Sequence, residues 1–224
     1  MSKLNNKPVR GKQTYLRRRT LLDPTPSECK EIENAVSAID QLQALEFIQV
    51  IGSGAFSEVW KARDLRCGEM RAVKITLLNN DSITKRTIIE KCAMQYLSHP
   101  LLVKLYSTFC IGNQSYFVLE YAEGGDLFDY LSRSSPLKEE HARDIIIEVI
   151  VALRYLHDNN IVHRDLKPEN IFVTASGHIK IGDFGCSTFI HANRKSIVGT
   201  LEYIAPENLL FSPATIQNAG CDVW

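Results

Sequence analysis

The sequence has six cysteines, Cys29, Cys67, Cys92, Cys110, Cys186 and Cys221, but no pair at a C-x-x-C spacing. That argues against a zinc ribbon and a disulfide framework, and it fits reduced thiols in a cytoplasmic or nuclear protein. No secretory signal follows Met1, where the residues are polar. No apolar run is long enough to span a bilayer, since the longest, Ile145–Leu153, is broken by Glu148. There is no net charge either: 26 basic residues face 26 acidic ones. Bulk charge therefore points to no nucleic-acid or membrane partner. Acids are missing from residues 1–22, which carry Lys3, Lys7, Arg10, Lys12, Arg17, Arg18 and Arg19, so the rest of the chain is net acidic. Internal repeats and long low-complexity tracts are absent.

What is present suits one large domain or two modest lobes: 224 residues, 45% hydrophobic and 23% charged. Residues 1–28 have few large apolar side chains and include Pro24 and Pro26, so they read as a mobile tail. Its "RRRT" is either a phosphorylation or docking signal or plain solvated chain. Ile32, Val36, Ile39 and Leu42 then recur at helical spacing and predict a short amphipathic helix packed on the following domain. The stretches "LEFIQVI", "SEVWKARD" and "EMRAVKITLL" read as strands separated by glycine-bearing turns. Helical spacing returns over Ile83–Leu97, followed by strands around Leu102–Phe109 and Gln114–Tyr121. Beyond Gly124-Gly125 the chain turns helical. Pro136, Glu139 and Glu140 mark a helix start, and Ala142, Ile145, Ile146, Val149, Leu153 and Leu156 form its apolar stripe. The expectation is a β-rich first lobe with one main helix, a mainly helical second lobe, and a hinge near Glu120–Gly125.

Four short stretches carry chemistry. In "IGSGAFSEVWKA", Gly52 and Gly54 let backbone approach phosphates closely. A lone Gly-x-Gly also marks ordinary hairpins. Here the glycines precede a strand, which favours a hairpin lying over a nucleotide rather than a dinucleotide-binding turn. In "AVKI", Lys74 sits on a strand among apolar neighbours. Alone it is an edge-strand lysine; with Glu90 on the next helix it becomes a pair that holds phosphates. "IVHRDLKPENIFV" sets five ionisable groups and an amide between two apolar strand ends. Phosphoryl transfer calls for such a loop, with a carboxylate to take the hydroxyl proton (Asp165), a nearby cation (Lys167) and a metal ligand (Asn170). "DFG" adds Asp183 as the main Mg²⁺ carboxylate. Two protein ligands suit Mg²⁺, which shares its oxygens with substrate phosphates.

"GSGAFSEV", "AVKI", "HRDLKPEN", "DFG" and "APE" (Ala205–Glu207) occur in an order that resembles the eukaryotic protein-kinase family. The resemblance implies an α+β bilobal fold over residues 45–224, with an N-lobe over 45–121, an incomplete C-lobe over 122–224, and a basic extension over 1–44. It implies ATP and Mg²⁺ as ligands and a protein substrate. Ile51, Gly52, Ser53, Gly54, Ala55, Phe56 and Ser57 would form the glycine-rich loop, Ser57 standing where a third glycine is usual. Adenine would lie between Val59, Ala72 and Phe172, bonded to backbone at Glu120 and Ala122, with Leu119 as gatekeeper and Asp126 near the ribose. Met94, Leu105, His163 and Phe184 would stack as a spine, making His163 structural. Lys167 is similar to the serine/threonine branch. Ser196 stands where an activating kinase would add phosphate, with Arg164 and Arg86 to clamp it. Asp126 and Glu169 would favour arginine-bearing substrates. Cys186 is either a reactive thiol or merely a small residue that fits there. "GAFS", "GGDLF" and "KSIVGTLEYIAPENLL" resemble the cyclic-AMP-dependent and phosphoinositide-dependent kinase group, and the calcium/calmodulin-dependent group shares several of these features. By the same resemblance Asp222 would open a buried helix, Glu207 would lack its arginine partner, and the helix at 137–156 would lose part of its cover. Those expectations leave a second reading, a nucleotide-binding or regulatory fragment without catalysis.

Overall fold

β-Branched and aromatic side chains recur through residues 45–53, 70–77, 105–111 and 114–120, and they build strands there. The computed structural model describes residues 26–133, 136–190, 198–209 and 218–224. It begins with α1 (Pro26–Gln43), β1 (Leu45–Ser53), β2 (Ser57–Asp64), β3 (Met70–Leu77), α2 (Asp81–Tyr96), β4 (Leu105–Ile111) and β5 (Gln114–Glu120). Residues up to Ser37 in α1 belong to one compact unit and Ala38–Trp224 form a second, which carries everything described below. The five strands make one antiparallel sheet in the order β1-β2-β3-β5-β4.

Alternation with period two sorts the sheet into two faces. Ala62, Val73, Phe109, Tyr116 and Val118 face outward into a cluster with Ala38 and Leu45, flanked by Leu42, Phe47 and Trp60. The intervening residues Val59, Ala72 and Lys74 face the other way. β5 is covered on both faces, so it reads as one apolar run: fully buried Phe117 points into a second core. Truncating a ring so enclosed costs about 3–5 kcal/mol. Glycine-bearing "IGSGAFS" makes the β1–β2 turn, closed by the Gly54 N–H donating to Ser57 O at 2.8 Å.

α2 starts where Asn80 caps it, its side-chain oxygen accepting the Ile83 N–H at 2.9 Å. Its buried residues, Thr87, Glu90, Ala93 and Met94, follow helical spacing. The expected strand start at Leu102 is three residues early. Leu102 instead bridges Ile181, because Val103 N donates to Ile181 O and Ile181 N to Leu101 O.

The second half contains β6 (Gly125–Asp126), α3 (Leu127–Arg133), α4 (Glu139–Asp158), β7 (Ile161–Val162), β8 (Ile171–Val173), β9 (Ile179–Ile181), β10 (Thr188–Phe189) and α5 (Pro206–Leu209). β6, β8 and β9 form a three-stranded sheet, and β10 pairs with β7. α4 begins at Glu139 with two acids in its first turn, favourable at a helix N-terminus. It buries Ile145, Val149, Ala152, Leu153 and Leu156. The apolar stripe expected to include Ile146 divides here: Ile146 and Ile150 are more than half exposed and edge a groove with Tyr203 and Trp224. Among the described residues, no helix is long and apolar enough to cross a membrane.

Candidate active site

The pleat of β3 aims Lys74 away from the outer core, and the buried face of α2 aims Glu90 toward it. Lys74 Nζ donates to Glu90 Oε1 at 2.7 Å and to Asp183 Oδ1 at 2.9 Å. Burial by itself would lower the Lys74 pKa, but Glu90 and Asp183 outweigh it and hold the ammonium above its ordinary value. Burial raises Glu90, and Lys74 offsets only part of that. Asp183 is also pushed up by burial, yet Lys74 pulls it below the usual carboxylate value. So Lys74 favours the ionised form of Asp183, whose side chain is 45% exposed to whatever enters.

The loop at 163–170 is held from several directions. Asn160, Arg164 and Asp183 adopt positive φ without being glycine, which persists only where surroundings enforce it. The buried Asp222 carboxylate is one enforcer. It accepts the His163 N–H at 2.8 Å, the Arg164 N–H at 2.7 Å and His157 Nε2 at 2.9 Å. His163 is fully buried, lies edge-on to Phe184, and its Nε2 donates to Gly182 O at 2.9 Å. That tautomer leaves Nδ1 facing the Asp165 N–H at 3.4 Å. His163 is thus a packed orienting group set against Phe184, which shares a core with Met94.

Asp165 sits at the centre. Its Oδ1 accepts both the N–H and the hydroxyl of Thr200, each at 2.8 Å. Its Oδ2 faces Asn170 Nδ2 at 3.2 Å and Lys167 Nζ at 3.8 Å. Lys167 also donates to Thr200 Oγ1 at 2.7 Å. Gly199 makes this approach feasible: its φ is +108° and an added Cβ would lie 2.7 Å from Arg164 O.

A cavity of about 670 Å³ joins these groups, a size that suits a small-molecule site. Ile51, Gly52, Ser53, Gly54, Ser57 and Val59 line it from β1 and β2, with Ala72, Lys74 and Glu90 behind. Leu119, Glu120, Ala122 and Asp126 line the β5 end; Phe172, Asn170, Lys167 and Asp183 line the side of the second half. Ala55 and Phe56 stand outside the walls at the hairpin tip, and Phe56 is exposed. Asp126 has a further duty, its Oδ1 accepting the Asp129 N–H at the start of α3. Arg164 donates from Nε to Cys186 O at 2.6 Å, and Arg86 is exposed on α2. Ser196 lies outside the described residues. Burial, aided by Asp165 and Asp183, raises the Cys186 pKa, which favours an inert thiol.

Two residues of the site escaped the sequence reading. Thr200 was hidden in a loop motif, although the Gly199-Thr200 pair is a cue to close backbone approach. Asp222 ends a short 3-10 turn, Ala219–Asp222, and clamps the loop, a role the sequence reading did not give it. An acid among Cys221, Val223 and Trp224 is the available cue. Glu207 is engaged within the chain.

The donor set fits a hard cation. Asn170 Nδ2 is committed to Asp165 O and Oδ2, leaving its Oδ1 to coordinate, and Asp183 has Oδ2 beyond its bond to Lys74. Among the described residues no cluster of three or more His, Cys, Asp or Glu could hold a metal. Two oxygens therefore need oxygens from a ligand, which is how Mg²⁺ is bound beside phosphates.

Residues 45–224 match the family model described as protein kinase domain. The chain is 36% identical over 195 residues to 3-phosphoinositide-dependent protein kinase 1 of Arabidopsis thaliana, covering 80% of this chain and 39% of that protein. It is 38% identical over 188 residues to a cAMP-dependent protein kinase, catalytic subunit-like, of Caenorhabditis briggsae, covering 82% of this chain and 48% of that protein. It is 35% identical over 188 residues to cAMP-dependent protein kinase type 3 of Saccharomyces cerevisiae, covering 82% and 46%. The chain thus spans less than half the length of these relatives.

Proposed function

The chain belongs to the protein kinase family, serine/threonine type, and from that premise we propose that it transfers the γ-phosphoryl group of ATP to serine and threonine hydroxyls of protein substrates. One observation carries the reading: Asp165, backed by Lys167, Asn170 and Thr200, lies beside a cavity that Lys74, Glu90 and Asp183 line from the other side.

Asp165 orients the attacking hydroxyl and takes its proton on Oδ2, the oxygen that Thr200 leaves free. The substrate oxygen bonds to the γ-phosphorus as the bond to the bridging oxygen breaks, and ADP leaves. Lys167, bonded to Thr200 and close to Asp165, stabilises the negative charge that spreads over the transferring group. Lys74, held by Glu90, grips the α- and β-phosphates. Mg²⁺ held by Asp183 and Asn170 would neutralise phosphate charge. Val59, Ala72 and Phe172 enclose the base, and backbone at Glu120 and Ala122 supplies its hydrogen bonds. Glu169 lines the cavity with Oε2 buried and without a hydrogen-bond partner among the described residues, which supports a cationic side chain in the substrate. Phosphorylation of Ser196 by an activating kinase, read by Arg164 and Arg86, completes the proposal. If Ser196→Ala keeps full activity and carries no less phosphate than the unmodified chain, that part fails.

The test is transfer of labelled phosphate from ATP to a generic basic protein with Mg²⁺, comparing the 224-residue chain with Asp165→Asn. Incorporation lost in the mutant supports the assignment. No incorporation by either soluble protein, with nucleotide binding retained, places the chain in the non-catalytic class.

A further inference from the structure

Lys180 takes no part in the chemistry above, yet it ties three separate segments together. It lies on β9, three residues before Asp183, paired in register with Phe172. Its side chain is only 15% exposed. Nζ lies 3.0 Å from Glu120 Oε2 and donates to Pro100 O at 2.6 Å. The same Glu120 oxygen accepts the Lys104 N–H at 3.2 Å, and Glu120 N donates to Lys104 O at 2.9 Å. β9 is already stitched to the chain at 101–103 by two backbone bonds through Ile181. Lys180 adds an ionic link from that strand to the end of β5.

These contacts join segments that carry the two ends of the cleft. Glu120 borders the end where a base would bond to backbone, and β9 runs directly into Asp183 at the other end. A largely buried ammonium bonded to a carboxylate and a carbonyl on two other segments restrains their separation more than an exposed ion pair does. We propose that Lys180 is a positioning residue that sets the distance between the hinge end and the Asp183 end of the cleft. A ligand engaging both ends then binds a preorganised site, while one engaging only the hinge end gains nothing from the link. This inference rests on reading the cavity as a nucleotide site.

Calorimetric titration of the full chain with ATP plus Mg²⁺, and separately with adenosine, distinguishes the two layers. Lys180→Met keeps the apolar stem and removes the charge. It is expected to weaken ATP binding about three- to tenfold and to leave adenosine unchanged. Lys180→Arg should retain ATP affinity. Lys180→Gln, which also removes the charge, should show the same selective loss and guards against a misfolded Lys180→Met. Equal weakening of both ligands would mean general loosening and overturns the inference, as does unchanged ATP affinity in both variants. A chain that binds neither ligand before mutation overturns the nucleotide reading itself, and with it the inference.

Discussion

Asp222 holds the loop on which Asp165 sits, and it does so from 58 and 59 positions away. Replacing it by alanine leaves the N–H groups of His163 and Arg164 and the ring of His157 without their shared acceptor in a buried place. Asp222→Ala is therefore expected to lose roughly 3–5 kcal/mol of unfolding free energy in urea titration. Thr200→Val is a milder test. It removes the hydroxyl between Lys167 and Asp165 while the backbone bond remains. Phosphoryl transfer should fall roughly ten- to a hundredfold with nucleotide affinity unchanged, measured by initial rates and direct titration. Neither residue was legible beforehand, for one reason. Lys74, Asp165 and Asp183 each stand in a short stretch whose neighbours advertise their chemistry. Thr200 and Asp222 act through contacts across long sequence separations, which leave no local period or spacing.

Elements explain how such residues are aimed. The strand period delivered Lys74 to the cavity once Val73 and Ile75 took the outer core, and "AVKI" together with Glu90 on the next helix indicated it. The β2–β3 turn shows a subtler device. Arg66 donates from Nε and Nη2 to the Asp64 carboxylate at 2.9 and 2.8 Å. These bonds hold the Asp64 pKa below its ordinary value, against the opposing effect of burial. The folded value is the lower one, so this contribution to stability is present above the ordinary carboxylate range and is lost as pH falls through the folded value, below about pH 4. Urea midpoints of the parent chain should decline there more steeply than those of Asp64→Asn. The turn before Thr200 allows a steric test. Gly199→Ala places a Cβ against Arg164 O at a left-handed φ, so thermal unfolding should show a loss of about 1–3 kcal/mol with reduced transfer.

At the scale of the molecule the cleft is where the two halves meet, and a ligand that touches both should stabilise both. ATP with Mg²⁺ at a hundred times its dissociation constant contributes about 2.7 kcal/mol. That is a rise of several degrees in Tm. Chelating the metal should remove part of it; a Tm that ignores nucleotide at every concentration would contradict the site. The sequence by itself determined the strand and helix order of residues 45–158, the family, and the residues whose motifs carry phosphoryl-transfer chemistry. Those features follow from side-chain periodicity and from local groupings of charge and glycine. Only the tertiary structure decided that Ile146 turns outward while Ile145 is buried, that Ala55 and Phe56 stand clear of the cavity, and that Asp222, Thr200 and Lys180 brace the cleft. Each of these depends on which distant backbone arrives beside a side chain, and a one-dimensional pattern of apolar and polar residues does not encode that.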